Sequence, residues 1–306
     1  MLFKVANKIK GTIIVVIVLF LNNDAKALDP CFTYLQKPST IGLMYKEITF
    51  NTTDGLELKA WFVPAQEPLS GDTLHYFQDI NNKREWSNPD KLMPTILLAP
   101  KDAGNMSGYI WYMRLFASYG FNVFTFDLRG FGESQEWPID KRFCIYEEFL
   151  IDFNSAIDVL VELPGVDATR IGVFGYSFAS YIGGLMWASR DELSVFVGGG
   201  NLTSMVEILP ILSSQRPGEE HIYPEVFNKQ EYNMVKRAGS TNKPIFVFVG
   251  EEDTRTPAWM TQSIYANSIS DVKEIWVIPS ASHGNAIYEN VDEFTNRVIG
   301  FFRVNL

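Results

Sequence analysis

Past residue 90 the chain repeats one pattern. A short, continuously apolar run is followed by a longer stretch whose apolar positions return every three or four residues. The runs are "TILLA" (95–99), "NVFTFD" (122–127), "RIGVFG" (170–175), "SVFVGG" (194–199), "PIFVFVG" (244–250) and "EIWVIP" (274–279). Short runs without polar alternation read as strands covered on both faces. The stretches between them predict helices over 109–118, 146–163, 178–189, 259–268 and 291–302. Within 146–163, Phe149, Phe153, Ile157 and Leu160 fall near helical spacing, and Pro164-Gly165 ends the segment. Upstream, 42–50 and 56–63 read as two further strands, the second partly alternating, with "TTDG" between them as a hairpin turn. Strand-helix alternation predicts an α/β fold, a mostly parallel central sheet of about eight strands with helices on both faces.

Two stretches break the rhythm. Residues 66–92 are polar and turn-rich, as in a long loop between early strands. Residues 201–242 are long for a strand connection, and loops of that length often carry function. The second stretch is expected either as a cap-like insertion over the C-terminal edge of the sheet or as a peripheral decoration. With no internal repeat and no low-complexity linker, residues 28–306 read as one domain.

The first 27 residues stand apart. Lys4, Lys8 and Lys10 precede the apolar run "GTIIVVIVLFL" (11–21), and Ala25-Lys26-Ala27 is a small-x-small cleavage pattern. That order predicts a secretory signal peptide cleaved after Ala27, giving a periplasmic or extracellular protein with no stable membrane insertion. The alternative is a membrane anchor formed by the uncleaved segment. Cleavage would remove four lysines and one aspartate, taking the net charge from −10 to −13. So acidic a chain is a poor partner for nucleic acid or an anionic membrane surface. Cys31 and Cys144 would remain, and an oxidising compartment permits a disulfide between them; two independent thiols are the other possibility. Two cysteines and three scattered histidines give no metal-site spacing. Sequons at Asn51, Asn105 and Asn201 are read as chance matches.

"RIGVFGYSFAS" (170–180) carries the first chemical signal. A buried strand ends near Phe174 and a helix begins near Phe178, so the turn between them would lift Ser177 Oγ clear of the sheet. Gly175 and Ala179 are small where strand and helix must approach closely. The plain alternative is that Ser177 is only a helix N-cap. A serine nucleophile needs a base. His75 lies in the polar loop and His221 in the 201–242 segment, whereas His283 follows the last strand, at the same sheet edge as Ser177. An acid should fix the histidine tautomer. Past the preceding strand stand Glu251, Glu252 and Asp253; Asp253 is the choice, with Glu252 the substitute. The chain order Ser177, Asp253, His283 is the one expected of this arrangement.

On these segments, and on "FDLRGFGES" (126–134), the chain resembles the α/β-hydrolase superfamily over roughly residues 45–302. The finer likeness is to the esterase, lysophospholipase-like and acyl-peptidase branches. The resemblance implies an α/β-hydrolase fold with Ser177, His283 and Asp253 as a catalytic triad. It also implies an oxyanion hole formed by the backbone N–H groups of Asp102 and Phe178. The chain departs from the pattern after the third strand: Pro100-Lys101 stands where a His-Gly pair is usual. Lys101 lacks glycine's access to positive φ, and Asp102 would bring a negative charge to the hole unless it turns away or pairs with Lys101. The implied function is hydrolysis of a carboxylic ester or related acyl bond through an acyl-enzyme, with no cofactor. Alternatives are a serine peptidase, thioesterase or acyltransferase on the same triad, or a non-catalytic binding protein of this fold. Tyr109, Trp111, Tyr112, Trp137, Tyr176, Phe178 and Trp259 either form an apolar pocket or pack helices on the sheet. The overall negative charge argues against strongly anionic substrates.

Overall fold

The computed structural model describes residues 27–66 and 91–306. The expected leader, most of the 66–92 loop and His75 lie outside the described residues.

After a two-residue strand, β1 (Asp29–Pro30), the hairpin β2 (Lys46–Asn51) and β3 (Glu57–Val63) is closed by Thr52 N–H to Leu56 O, 2.8 Å. Then follow β4 (Met93–Leu98), a short β5 (Ala103–Gly104), α1 (Ile110–Ser118), β6 (Asn122–Phe126) and α2 (Glu148–Val161). Next come β7 (Val166–Tyr176), α3 (Phe178–Ser189), β8 (Leu193–Gly199), α4 (Met205–Gln215) and α5 (Met234–Ala238). The chain ends with β9 (Ile245–Gly250), α6 (Ala258–Asn267), β10 (Lys273–Ile278) and α7 (Val291–Asn305). Eight strands form one mixed sheet in the order β10-β9-β8-β7-β4-β6-β3-β2. β3 pairs antiparallel with both β2 and β6, and every other pair in this sheet is parallel. This is the expected architecture.

The apolar runs are continuous because each strand feeds two cores. Leu97, Phe124, Val173, Phe196 and Val247 point to one side, toward residues of α2 and α3. Their neighbours Ile96, Val123, Phe174, Val197 and Phe248 point to the other, toward α1 and α7. Side chains alternate along a strand, so only a strand covered on both faces can be apolar at every position.

The "FDLRGFGES" segment carries an ion network. Arg129, 1% exposed, donates from Nε and Nη2 to Oδ1 of Asp152, which is fully buried on α2, at 2.8 and 2.7 Å. Its Nη1 reaches Asp54 of the hairpin turn at 2.8 Å. Burial pushes the Asp152 carboxyl up and Arg129 pulls it back. The guanidinium therefore ties the hairpin to α2. Arg129→Met should cost about 3–5 kcal/mol in urea unfolding, because it leaves a buried carboxylate unpaired, and adding Asp152→Leu should recover most of the loss. A near-neutral single variant would mean that the network does not hold the hairpin.

Candidate active site

Only Ser177 separates β7 from α3. Its backbone sits at φ 59°, ψ −127°, a conformation that costs a non-glycine residue on the order of 1–3 kcal/mol. The turn is held by Ser177 N–H to Gly199 O at 2.8 Å, and by the Ser180 N–H and hydroxyl, which both donate to Ser177 O at 2.9 and 2.7 Å. A Cβ on Gly175 would lie 2.4 Å from the Ala179 carbonyl oxygen, so only glycine lets strand and helix meet this closely. Ser177 makes no side-chain cap bond to the helix, which sets aside its reading as an N-cap.

Ser177 Oγ instead lies 3.0 Å from His283 Nε2, and His283 Nδ1 lies 2.8 Å from Asp253 Oδ2. A carboxylate only accepts, so Nδ1 carries the proton to Asp253 and Nε2 is left to accept from the serine hydroxyl. Asp253 Oδ1 accepts from the N–H groups of Arg255 and Thr256 at 2.9 and 2.8 Å, and the Thr256 hydroxyl donates to Oδ2 at 2.9 Å. Burial raises the Asp253 pKa, but His283 and the Thr256 donors outweigh it and hold the carboxyl below its ordinary value. Glu252 is exposed and Glu251 accepts from Ser280 N–H, so neither competes for the histidine.

The acid and histidine loops are joined by backbone. Glu251 N–H donates to Ile278 O and Glu252 N–H to Ala281 O, at 2.9 and 2.8 Å. A Cβ on Gly250 would stand 2.3 Å from Ala281 O, so this contact also requires glycine. The Tyr176 hydroxyl donates to His283 O at 2.8 Å and ties the histidine loop to the end of β7.

Asp102 and Phe178 both border a cleft beside Ser177. Among the described residues neither backbone N–H has a hydrogen-bond partner. The Pro100-Lys101 departure is absorbed differently from either expectation. Lys101 is not in the left-handed region, where Ser177 and Ser280 are the only non-glycine residues among those described. Nor does it form an ion pair with Asp102 among those residues; its ammonium sits 4.9 Å from the Tyr109 ring centroid. What holds the loop is the N-terminal strap, which the sequence reading missed. β1 pairs in parallel with β5, Asp29 N–H donates to Asp102 O and Cys31 N–H to Gly104 O, each at 2.9 Å. Asn105 Nδ2 donates to the carbonyls of Cys31 and Thr33, both at 2.9 Å. Strands of two residues leave no periodic signal.

The cleft's apolar wall comes from Phe178, Leu202 and, on α4, Met205, Ile208 and Leu212. Part of the 201–242 segment thus faces Ser177. Of the seven aromatics considered from sequence, Phe178 alone lines the cleft; Tyr109, Trp111 and Tyr112 pack α1 against the sheet. Ala27 and Cys144 border the cleft too. Cys31 and Cys144 are free thiols, so the possible disulfide is absent, and burial pushes the Cys144 thiol up to about 12. Among the described residues no cluster of His, Cys, Asp or Glu could hold a metal.

The sheet order and the serine turn define an α/β hydrolase. More narrowly, the chain belongs to the prolyl oligopeptidase family of serine hydrolases, which it matches over residues 107–306. It is 22% identical to the alpha/beta hydrolase domain-containing protein WAV2 of Arabidopsis thaliana, over 77% of this chain and 70% of that one. The structure is similar to that of the Pyrococcus furiosus esterase Pf2001, with a TM-score of 0.69 at 17% identity, covering 90% of this chain and 98% of that one. It also resembles the acylaminoacyl peptidase of Pyrococcus horikoshii, with a TM-score of 0.60 at 18% identity, covering 87% of this chain and 42% of the peptidase.

Asn105 is buried, and its Oδ1 accepts from Ser107 N–H and the Ser107 hydroxyl at 3.1 and 2.6 Å. A side chain so engaged leaves no room for a glycan. Asn105→Ala should lower stability by about 1–3 kcal/mol, since it strands buried carbonyls and a buried N–H. Thermal or urea unfolding checks this, and a loss of a few tenths would show that the strap is held by other contacts.

Proposed function

We propose that the protein hydrolyses carboxylic esters or closely related acyl bonds through Ser177, His283 and Asp253. The observation that carries this reading is the unbroken hydrogen-bond path from Ser177 Oγ through the imidazole to the Asp253 carboxylate. His283 Nε2 takes the Ser177 proton as Oγ bonds to the acyl carbon. The N–H groups of Asp102 and Phe178 face the developing oxyanion. When the ester C–O bond breaks, His283 returns its proton to the leaving oxygen, and water then releases the acid by the same steps in reverse. Hydrolysis by this route uses no cofactor. The names of the solved neighbours, an esterase and an acylaminoacyl peptidase, support acyl chemistry and leave the ester and peptide donors as variants of one mechanism.

The test is a fluorophosphonate probe on the folded protein, with the adduct located by mass spectrometry. Label is expected on Ser177 and none on Ser177→Ala; an unlabelled, folded protein would favour the non-catalytic reading. Asp253→Asn should lower kcat/KM by about 10⁴, while Glu252→Gln should leave it near the parent value. The reverse pattern would move the acid to Glu252.

Export is part of the proposal and rests on the leader-like order of charged, apolar and small residues in 1–27. One observation favours the alternative of an uncleaved anchor. Ala27 N–H donates to Lys141 O, and Leu28 is fully buried, so cleavage after Ala27 would leave a charged amine on a buried residue. Intact-mass measurement of the protein purified from its own cells separates the two: a chain beginning at Leu28 supports cleavage, and a chain retaining 1–27 in the membrane fraction supports the anchor.

A further inference from the structure

The arginines at the cleft differ from most others among the described residues. Arg129, Arg142, Arg170, Arg190 and Arg297 each meet a carboxylate at 2.6–2.9 Å. Arg216 and Arg255 do not, and these two border the cleft that holds Ser177. Among the described residues neither guanidinium donates a hydrogen bond; the nearest carboxylate oxygen to Arg216, on Glu219, is 3.8 Å away. They come from different elements, Arg216 from the end of α4 and Arg255 from the turn two residues past Asp253. Burial and the neighbouring Arg255 charge push the Arg216 pKa down, so its positive charge is under-compensated where it sits. His221 borders the same cleft with its side chain 2% exposed, and its Nδ1 has no hydrogen-bond partner.

We propose that Arg216 and Arg255, with His221 beside them, form an anion subsite of the Ser177 cleft, so that the substrate is an acyl compound bearing a carboxylate or phosphate. A guanidinium is a planar fork of donors matched to such groups. The acidic charge of the whole chain argued against anionic substrates, but a cleft answers to the charges on its own walls. Those walls also include Asp102, and Glu219 stands 3.6 Å from His221 Nε2. The two guanidiniums therefore offset two nearby carboxylates, and specificity comes from the unused donors rather than from a large positive potential. The apolar side chains of Leu202, Met205, Ile208 and Leu212 would take the hydrocarbon part of the same molecule. The subsite deepens the hydrolase reading and rests on it for the reaction, though not for binding.

Two ester pairs place the charge on either side of the scissile bond. Mono-para-nitrophenyl adipate against para-nitrophenyl hexanoate puts it on the acyl group; para-carboxyphenyl hexanoate against phenyl hexanoate puts it on the leaving group. In one pair the anionic ester should have kcat/KM about 10- to 100-fold above its neutral partner. Arg216→Gln and Arg255→Gln should each remove most of that preference, Arg216→Lys should retain part of it, and added salt should erode it. Preference for the neutral ester in both pairs, or a preference that both substitutions leave intact, overturns the subsite. Calorimetric titration of the Ser177→Ala protein with adipate and with inorganic phosphate reads the subsite without turnover and distinguishes the two anions. Binding of at least one, weakened about tenfold by Arg216→Gln, is expected; binding of neither overturns the proposal. Failure of fluorophosphonate labelling with intact anion binding would sink the hydrolase alone.

Discussion

Everything at the site depends on the left-handed turn at Ser177. A strand and a helix are joined there through one residue whose φ of 59° is unfavourable for any side chain. The turn persists because its neighbours leave no alternative. Gly175 is pressed against the Ala179 carbonyl, Ser177 N–H is committed to Gly199, and the whole of β7 is locked between β4 and β8. The strain delivers a half-buried hydroxyl that borders the cleft at the edge of a rigid sheet, and an α3 N-terminus whose first N–H is unpaired among the described residues. Both the serine and the Phe178 donor follow from one backbone conformation.

The partners of that serine are fixed by the same means. Asp253 and His283 lie on loops that follow adjacent parallel strands, β9 and β10. Parallel strands in register end at the same edge, so the two loops begin side by side. The Gly250–Ala281 contact and the bonds from Glu251 and Glu252 then hold them together, and Tyr176 ties the histidine loop back to β7. A short imidazole–carboxylate contact arises from backbone that is already fastened, and little side-chain order need be added when substrate binds.

The oxyanion side is built by a different logic. There the chain lacks the His-Gly pair usual in its superfamily, and the loop after β4 is steadied from outside by the strap of residues 29–33. Tyr34 extends the arrangement: its hydroxyl donates to Asp127 Oδ2 at 2.7 Å, while Asp127 Oδ1 accepts from Met106 N–H at 2.6 Å. Burial pushes Asp127 up to about 7, against the pull of those donors. The strap, the loop and the Asp-x-Arg-Gly segment thus form one polar seam beneath the site, and the N-terminal residues belong to the site as well as to the fold.

The sequence by itself determined the elements and the triad candidates. Period-two and period-3.6 patterns are local, and the central strands of a sheet covered on both faces must be apolar throughout, so these strands and the long helices, α4 apart, were legible within a few residues. Ser177, Asp253 and His283 were legible because parallel strands send their following loops to one edge, a rule of topology that chain order already carries. Tertiary structure decided what depends on close approach between distant segments. Residues 29–30 pair with 103–104 across the fold, a contact too short to leave a pattern. Arg216 comes to the cleft on α4, and His221 joins it from beyond that helix, within a segment whose length showed only that it left the regular rhythm. Of the aromatics that suggested a pocket, Tyr109, Trp111 and Tyr112 pack on the sheet and Trp259 stays exposed, while Phe178 lines the cleft, since burial against the sheet removes more apolar surface from water than a cleft does.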